Sequence, residues 1–314
     1  MTTNPQPTCQ RTRKPDFFIV GAPKSGTTAM WHYLASHPEI YMARKEMNFF
    51  GEDLNFSRRV WRRDMGSYLD EFKNCNDRRR AGDASVWYLF SKRAAEEIKE
   101  FDPNSRIIVM LREPVEMIYS MYHQNCVDAS EHLPTFEAAL AAETDRLAGR
   151  RISRRAVFGQ GLVYRHIVRY TEQLERYFEI LGRDKVLVII YDDLVNDAAG
   201  TYRRTLDFLG VSTTAHEPNL EVVNGNRRVR SKTLQYILSD PWFRRTMLDI
   251  ARRLPRPVFD AFSNAEAKLW GLNTSAFKRR ALNPELRAQL KREFTPEVER
   301  LSHLLGRDLT HWSR

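Results

Sequence analysis

The segment at residues 21–28, GAPKSGTT, contains the residue types that point most clearly to chemistry. Four apolar residues at 17–20 precede it and are enough for one buried strand, and the helical pattern after it ends near residues 37–38. A strand, a glycine-containing loop and a helix in this order aim backbone N–H groups at a phosphate. The loop has the Gly-x4-Gly frame of a Walker A sequence, but Lys24 lies inside it and Thr27 stands where the Walker lysine is expected.

A second apolar run is also followed by a basic residue and a helical pattern. Residues 106–111, RIIVML, end at Arg112, and Pro114 stands where the first turn of a helix tolerates proline. A third apolar run at residues 185–191 again precedes a helical pattern. This alternation predicts an α/β fold: a P-loop-like central parallel sheet flanked by helices on both faces, with inserted helical segments. Ligands of such sheets bind at the carboxyl ends of the strands.

Other patterns predict the elements around this sheet. We expect a short strand at 39–42, another that ends near residue 83, and helices at 92–101, 162–181, from 283–284 and from 295–296. The acidic pair at 192–193 resembles a metal-binding pair, but we interpret it as the cap of the following helix.

Composition excludes several classes of protein. Of the 314 residues, 42% are hydrophobic and 29% are charged, which indicates a globular rather than a disordered chain. No apolar run approaches the roughly 18 residues of a membrane span, and the N-terminus lacks an apolar signal core. Because residues 1–15 are polar, we expect them to form a flexible tail. Since there is no internal repeat or low-complexity linker, we expect residues 16–314 to form a single domain.

The net charge and the cysteine spacing limit which ligands and partners are expected. The net charge of +10 favours an anionic partner, and the arginines are dispersed without a recognisable nucleic-acid reader motif. A nucleotide cofactor or a polyanionic acceptor is therefore expected rather than a nucleic acid. Cys9, Cys75 and Cys126 are widely spaced, which predicts neither a disulfide framework nor a zinc site. We expect no metal, and a cytoplasmic location.

The sequence PKSGTT after a predicted strand resembles the 5′-phosphosulfate loop of sulfotransferases that use 3′-phosphoadenosine 5′-phosphosulfate (PAPS). Sulfuryl transfer builds charge on the bridging oxygen of the leaving phosphate, where fixed N–H donors and a cation are the expected stabilising groups. The resemblance implies that Lys24 stabilises this leaving phosphate and that PAPS is converted to 3′,5′-ADP. The loop residues that would bind PAPS are Lys24, Ser25, Gly26, Thr27 and Thr28.

The same family implies a separate site for the 3′-phosphate. Its sulfotransferases place an arginine at a strand end and a serine eight residues later, which Arg112 and Ser120 match here. The basic loop NGNRRVRS, residues 224–231, resembles the loop that covers the adenine nucleotide, so that Arg228, Arg230 and Ser231 would add contacts. Its register on the cofactor stays open. The resemblance extends roughly over residues 16–312 and includes YDDL, FLG and GRDLTHW.

A base must remove the acceptor proton. The segment EMNFF resembles the E-x-x-F-F segment of heparan-type carbohydrate sulfotransferases, which implies that Glu46 is the general base. The alternatives are a surface glutamate paired with a neighbouring arginine or Lys45, or a histidine base such as His123. Aryl and steroid sulfotransferases use a histidine near the position of Asp83, where this chain has none.

Two departures separate this chain from the heparan-type pattern. That pattern has a lysine near Ala84 and commonly a histidine at Asn48. His32 and His37, like His123, are interpreted as packing or surface residues. The acceptor is therefore left open as a hydroxyl or amine of a small molecule, a glycan or a lipid-linked group, and the oligomeric state is open too.

Two other functions compete with this one. A P-loop kinase-like phosphotransferase shares the glycine frame, but it needs Lys-Ser/Thr at the loop end and an acidic magnesium ligand. A non-enzymatic polyanion binder accounts for the charge alone and leaves the paired motifs unexplained.

Overall fold

A computed structural model describes residues 13–56, 63–75, 78–216, 218–220 and 281–314, and the backbone alone at 227–229 and 274–276. The chain divides into two compact units. The first, called the sheet unit, draws on Met1–Gly51, Arg63–Leu111 and Glu175–Glu221, and the second unit comprises the rest. The single domain predicted for residues 16–314 stays a prediction.

The sheet unit is built on parallel strands in the order β2-β3-β1-β4-β5, five of them within the described part of the chain. These strands are β1 Phe17–Gly21, β2 Ile40–Met42, β3 Arg80–Ala84, β4 Arg106–Leu111 and β5 Val186–Ile190. In the second unit, β6 Arg227–Val229 pairs with β7 Thr274–Ala276 in antiparallel fashion. The predicted α/β fold with a central parallel sheet is confirmed.

The helices of the described residues begin and end as follows: α1 Thr27–Ala35, α2 Met65–Asp70, α3 Ala94–Phe101, α4 Pro114–Val127, α5 Phe136–Ala141, α6 Glu143–Leu147, α7 Tyr164–Ile167, α8 Tyr170–Leu181, α9 Tyr191–Asn196, α10 Ala198–Leu209 and α11 Pro284–Leu305. Short 3₁₀ turns lie at Gln160–Leu162, Arg183–Lys185 and Thr310–Ser313. Among the described residues, no helix combines the length and apolar character needed to cross a membrane.

Burial on both faces explains why the central strands are uninterrupted apolar runs. Phe17 of β1 belongs to one core together with Met30 of α1 and Leu206 of α10. Its neighbour Phe18 points to the opposite face, where its ring lies 5.6 Å from that of Phe50. Both strand residues are fully buried. Alternation of polar and apolar residues is absent because neither face of this strand meets water.

Two helix predictions were wrong. The single helix expected at 162–181 is divided into α7 and α8, and the side-chain amide of Gln173 donates to the Ile167 carbonyl (3.1 Å) at the end of α7. Conversely, Pro296 starts no new helix, since α11 runs through it. Buried Phe294 and Val298 lie on either side of the proline, so that tertiary packing holds the helix despite one lost backbone hydrogen bond.

The predicted cap at 192–193 was also wrong in detail. Asp192 and Asp193 lie inside the first turn of α9, where carboxylates favour the positive end of the helix dipole. Asp197 is the residue that caps α10, accepting from the Gly200 N–H at 2.8 Å.

Candidate active site

The glycine loop lies at the carboxyl end of β1 and leads into α1. Gly26 caps α1 with a φ of 88°, no acidic residue occupies the first turn, and no described side chain caps these N–H groups. A Cβ at Gly26 would lie 2.8 Å from Cδ2 of Leu194, so both the backbone angle and the space require glycine. The Ala22 N–H donates to the Met110 carbonyl (2.7 Å), which ties the loop to β4. The start of α1 therefore presents donors suited to an anionic group.

The side chains of the loop differ in burial. Ser25 is fully buried, and its hydroxyl donates to the Pro23 carbonyl at 3.3 Å. Thr27 is buried, whereas Lys24 and Thr28 are partly exposed. Lys24 adopts a left-handed backbone with a φ of 61°. The predicted phosphate-binding residues thus share one turn, with Lys24 and Thr28 as its most accessible polar side chains.

Glu46 lies in the same unit, beside the carboxyl end of β3. Its N–H donates to the Ala84 carbonyl (2.9 Å), and its Oε2 accepts from the Val86 N–H (3.3 Å). Glu46 and Asn48 both adopt left-handed backbone conformations, with φ of 60° and 45°. Hydrogen bonds to the last residue of β3 and to the loop after it therefore place the predicted base at the carboxyl edge of the sheet, which also holds the glycine loop.

Lys45 joins the glycine loop to Glu46. Its Nζ lies 2.7 Å from the Thr28 Oγ1 and 3.9 Å from the Glu46 Oε1. The sequence suggests Lys45 only as a surface partner of Glu46. The adjacent Arg44, the other suggested partner, pairs instead with Glu71 at 2.7 Å. The one available signal was adjacency to Glu46, which does not indicate that Lys45 reaches a helix 17 residues earlier in the chain.

The surroundings of Glu46 bring its pKa into the range of a base that works at neutral pH. Burial raises this pKa to about 7, and the nearby charge of Asp83 adds to the rise, while Lys45 and the Val86 N–H oppose it. The side chain still keeps 39% of its exposure, so a small acceptor can reach it. Burial also lowers the pKa of Lys45, which the charge of Glu46 opposes. A carboxylate with a pKa near 7 combines sufficient ionisation with sufficient basicity.

Arg112 and Ser120 belong to the second unit. Arg112 directly follows β4, and its Nη2 lies 3.5 Å from the Glu116 Oε2 one helical turn later. The Tyr170 hydroxyl donates to the Arg112 carbonyl (3.1 Å), which fixes the backbone before α4. Ser120 is buried on α4, 4% exposed. An anion bound to Arg112 would therefore share this guanidinium with Glu116.

The predicted basic loop is described only in part. Arg228 lies on β6, for which the structure describes only the backbone. Arg230 and Ser231 lie outside the described residues, and their roles stay predictions.

Two of the histidines pack against other residues. His37 is fully buried, its Nε2 lies 2.9 Å from the Ser212 carbonyl, and its Nδ1 accepts from the Glu39 N–H at 3.1 Å. The ring of His123 packs against Tyr119, 4.6 Å between centroids. The packing role predicted for His37 is confirmed. Among the described residues, no group of His, Cys, Asp and Glu side chains could hold a metal ion.

Comparison with known proteins bears on the family. A family profile described as "Sulfotransferase domain" matches residues 14–228, about two thirds of the chain. The chain belongs to the sulfotransferase domain family. This confirms the predicted family and does not favour the kinase alternative.

Individual relatives agree with this assignment. Mouse heparan sulfate glucosamine 3-O-sulfotransferase 3A1 is 26% identical over 197 residues, which cover 63% of this chain and 46% of the relative. Human heparan sulfate glucosamine 3-O-sulfotransferase 6 is 27% identical over 214 residues, 64% of this chain and 54% of the relative. This chain therefore spans about half the length of these curated relatives.

A solved structure extends the likeness to nearly the whole chain. The crystal structure of a sulfotransferase from Alicyclobacillus acidocaldarius has a TM-score of 0.71 and 28% identity, covering 96% of this chain and 100% of that one. These matches confirm the expected closeness to heparan-type and bacterial sulfotransferases.

Proposed function

We propose that this chain transfers a sulfuryl group from PAPS to an acceptor hydroxyl or amine, with Glu46 as general base and Lys24 stabilising the leaving phosphate. The observation that carries the proposal is the position of Lys45, whose ammonium group contacts the Thr28 hydroxyl and lies 3.9 Å from the Glu46 carboxylate. Donor loop and base are thus separated by a single side chain.

The chemistry assigns a task to each residue. PAPS supplies the sulfuryl group and a phosphate leaving group. Glu46 accepts the proton of the acceptor as the acceptor oxygen or nitrogen bonds to sulfur, and the electron pair of the broken S–O bond stays on the phosphate. Lys24 and the N–H groups at the start of α1 stabilise that negative charge. Since Lys45 donates to Thr28 Oγ1, the Thr28 proton is directed away from Lys45 and is available to the 5′-phosphate.

The 3′-phosphate is assigned to Arg112 and Ser120, with Arg228, Arg230 and Ser231 adding contacts. This part rests on the family resemblance, and the partial burial of Arg112 supports it because a guanidinium with 16% side-chain exposure binds an anion more strongly than a fully hydrated one.

We propose a sugar hydroxyl as the first acceptor to test, since the relatives named above act on heparan sulfate glucosamine by their names. Ala84 and Asn48, which depart from the heparan-type pattern, favour an acceptor that differs from heparan sulfate itself. A panel of oligosaccharides, phenols and lipid headgroups with radiolabelled PAPS identifies it.

Glu46→Gln tests the base. We expect turnover to fall on the order of a hundredfold or more, because the amide cannot accept the proton, while calorimetry gives an unchanged affinity for 3′,5′-ADP. Glu71→Gln, which alters another carboxylate of the same unit, is the matched control. Near-normal turnover of Glu46→Gln removes Glu46 from the role, and magnesium-dependent ATP turnover would support the kinase alternative instead.

Arg112→Ala tests the 3′-phosphate site. Its affinity for 3′,5′-ADP should fall on the order of ten- to a hundredfold, because a charge-assisted hydrogen bond is lost. Its affinity for AMP, which has no 3′-phosphate, should not change. An equal loss for both nucleotides contradicts the assignment.

A further inference from the structure

Asp83 is a buried carboxylate to which the proposed mechanism gives no task. It lies near the carboxyl end of β3 in the sheet unit and is fully buried. Three hydroxyl groups reach it: Ser85 at 2.7 Å on Oδ1, and Tyr88 at 2.8 Å and Tyr68 at 3.0 Å on Oδ2. A carboxylate is costly to bury, and these three hydrogen-bond donors stabilise it.

Two of the three hydroxyl groups also hold the backbone that follows Glu46. The Asn48 N–H donates to the Ser85 hydroxyl (2.9 Å), and the Phe49 N–H donates to the Tyr88 hydroxyl (2.8 Å). Because each hydroxyl oxygen accepts from an amide, its own proton is directed to Asp83. The carboxylate therefore orients both hydroxyls as acceptors for the chain at residues 48–49.

The backbone at residues 46–48 has an unfavourable conformation that hydrogen bonds must stabilise. Glu46 and Asn48 have φ of 60° and 45°, which residues with a side chain rarely adopt. The amides of residues 48 and 49 lie two and three residues after Glu46, so a change in their position shifts the backbone that carries its carboxylate. The Asn48 side chain adds one local bond, donating to the Glu46 carbonyl at 3.1 Å.

We propose that Asp83 is a positioning residue for the reaction: through Ser85 and Tyr88 it fixes the left-handed turn that carries Glu46. The proposal rests on the function proposed above, in which Glu46 is the base. The effect comes from the two hydroxyls that accept hydrogen bonds from the N–H groups of residues 48 and 49. The Tyr68 hydroxyl contacts Asp83 but accepts from neither of these N–H groups, so it should have no such effect.

Tyr88→Phe and Tyr68→Phe form a matched pair for the test. Each removes one hydroxyl donor from the same oxygen of Asp83 and keeps its aromatic ring. Tyr88→Phe should lower kcat at least about tenfold relative to Tyr68→Phe, since small displacements of a catalytic group have large effects on rate. Affinity for 3′,5′-ADP should be equal in both. Turnover is measured with radiolabelled PAPS and the most active acceptor of the panel.

Hydrogen exchange of residues 43–50 provides a readout that needs no acceptor. Faster exchange of the Phe49 amide in Tyr88→Phe than in Tyr68→Phe supports the proposal, and equal exchange overturns it. If Tyr88→Phe does not fold, Ser85→Ala and the exchange of the Asn48 amide take its place. An active Glu46→Gln variant rejects the base, whereas an inactive Glu46→Gln with equal kcat for the two tyrosine variants rejects the positioning role alone.

Discussion

Replacing Lys45 by methionine should move the pH dependence of turnover upward. Burial raises the pKa of Glu46 to about 7, and the charge of Lys45, 3.9 Å away, holds it below what burial alone would produce. As the proposed base, Glu46 works only in its ionised form, so turnover should fall as the pH drops through this pKa. Without Lys45 the pKa is higher, and the loss of activity begins at a higher pH.

The distance sets the size of this effect. Two unit charges about 4 Å apart interact with about 1 kcal/mol in bulk water and about 4 kcal/mol near a protein surface. The side chains of Lys45 and Glu46 keep 20% and 39% of their exposure, which places the pair toward the aqueous value. Since about 1.4 kcal/mol corresponds to one pH unit, the acid limb should rise by about one pH unit.

The assay is turnover of radiolabelled PAPS from about pH 5.5 to pH 9, at saturating PAPS so that weaker donor binding does not distort the profile. Arg44→Met is the matched control, because Arg44 is the neighbouring cation and pairs with Glu71 rather than Glu46. Lys45→Arg keeps the charge and should keep the wild-type midpoint. An unshifted limb in Lys45→Met, or an equal shift in Arg44→Met, would refute the electrostatic link between Lys45 and the base.

Two further predictions concern stability and the donor loop. Arg146→Met should lower the free energy of unfolding by about 3–5 kcal/mol in urea titrations, because it leaves the fully buried Glu131 without its 2.7 Å partner, whereas the exposed Arg150→Met should cost at most about 1 kcal/mol. Equal losses would contradict the distinction. Gly26→Ala should weaken 3′,5′-ADP binding at least about tenfold in calorimetry, because its Cβ meets Leu194 at a φ of 88°, and unchanged affinity would show that the loop tolerates the strain.

The sheet could be predicted because its signal is local. Residues 17–20 and 107–111 are apolar without interruption, and a strand buried on both faces requires such a run. The Gly-x4-Gly loop followed by a helix was visible for the same reason. The helices were less predictable because tertiary contacts override the local preferences for helix initiation and continuity. They keep α11 continuous through Pro296 and divide the predicted helix at 162–181 in two.

The sequence predicts some residues of the candidate site but not the contacts between them. Glu46 could be identified from its segment, but its raised pKa depends on burial and on Asp83, which is 37 residues away in the chain. The contact between Lys45 and Thr28 has no sequence pattern, because it exists only once β2 pairs beside β3 and brings residues 43–46 to the end of the sheet. Long-range hydroxyl contacts such as Tyr88 to Phe49 are likewise set by the fold alone.

The central place of β1 has a consequence for how the chain is made. This strand is synthesised before its partners β3 and β4, and β4 ends 90 residues after Gly21. At synthesis rates of about 5–20 residues per second, both neighbouring strands are complete on the order of 5–20 s after β1 has been synthesised. During that interval an apolar strand has both edges open, the state in which nascent chains associate with one another or with chaperones. The glycine loop at the end of β1 can reach its folded conformation only after both neighbouring strands have been synthesised.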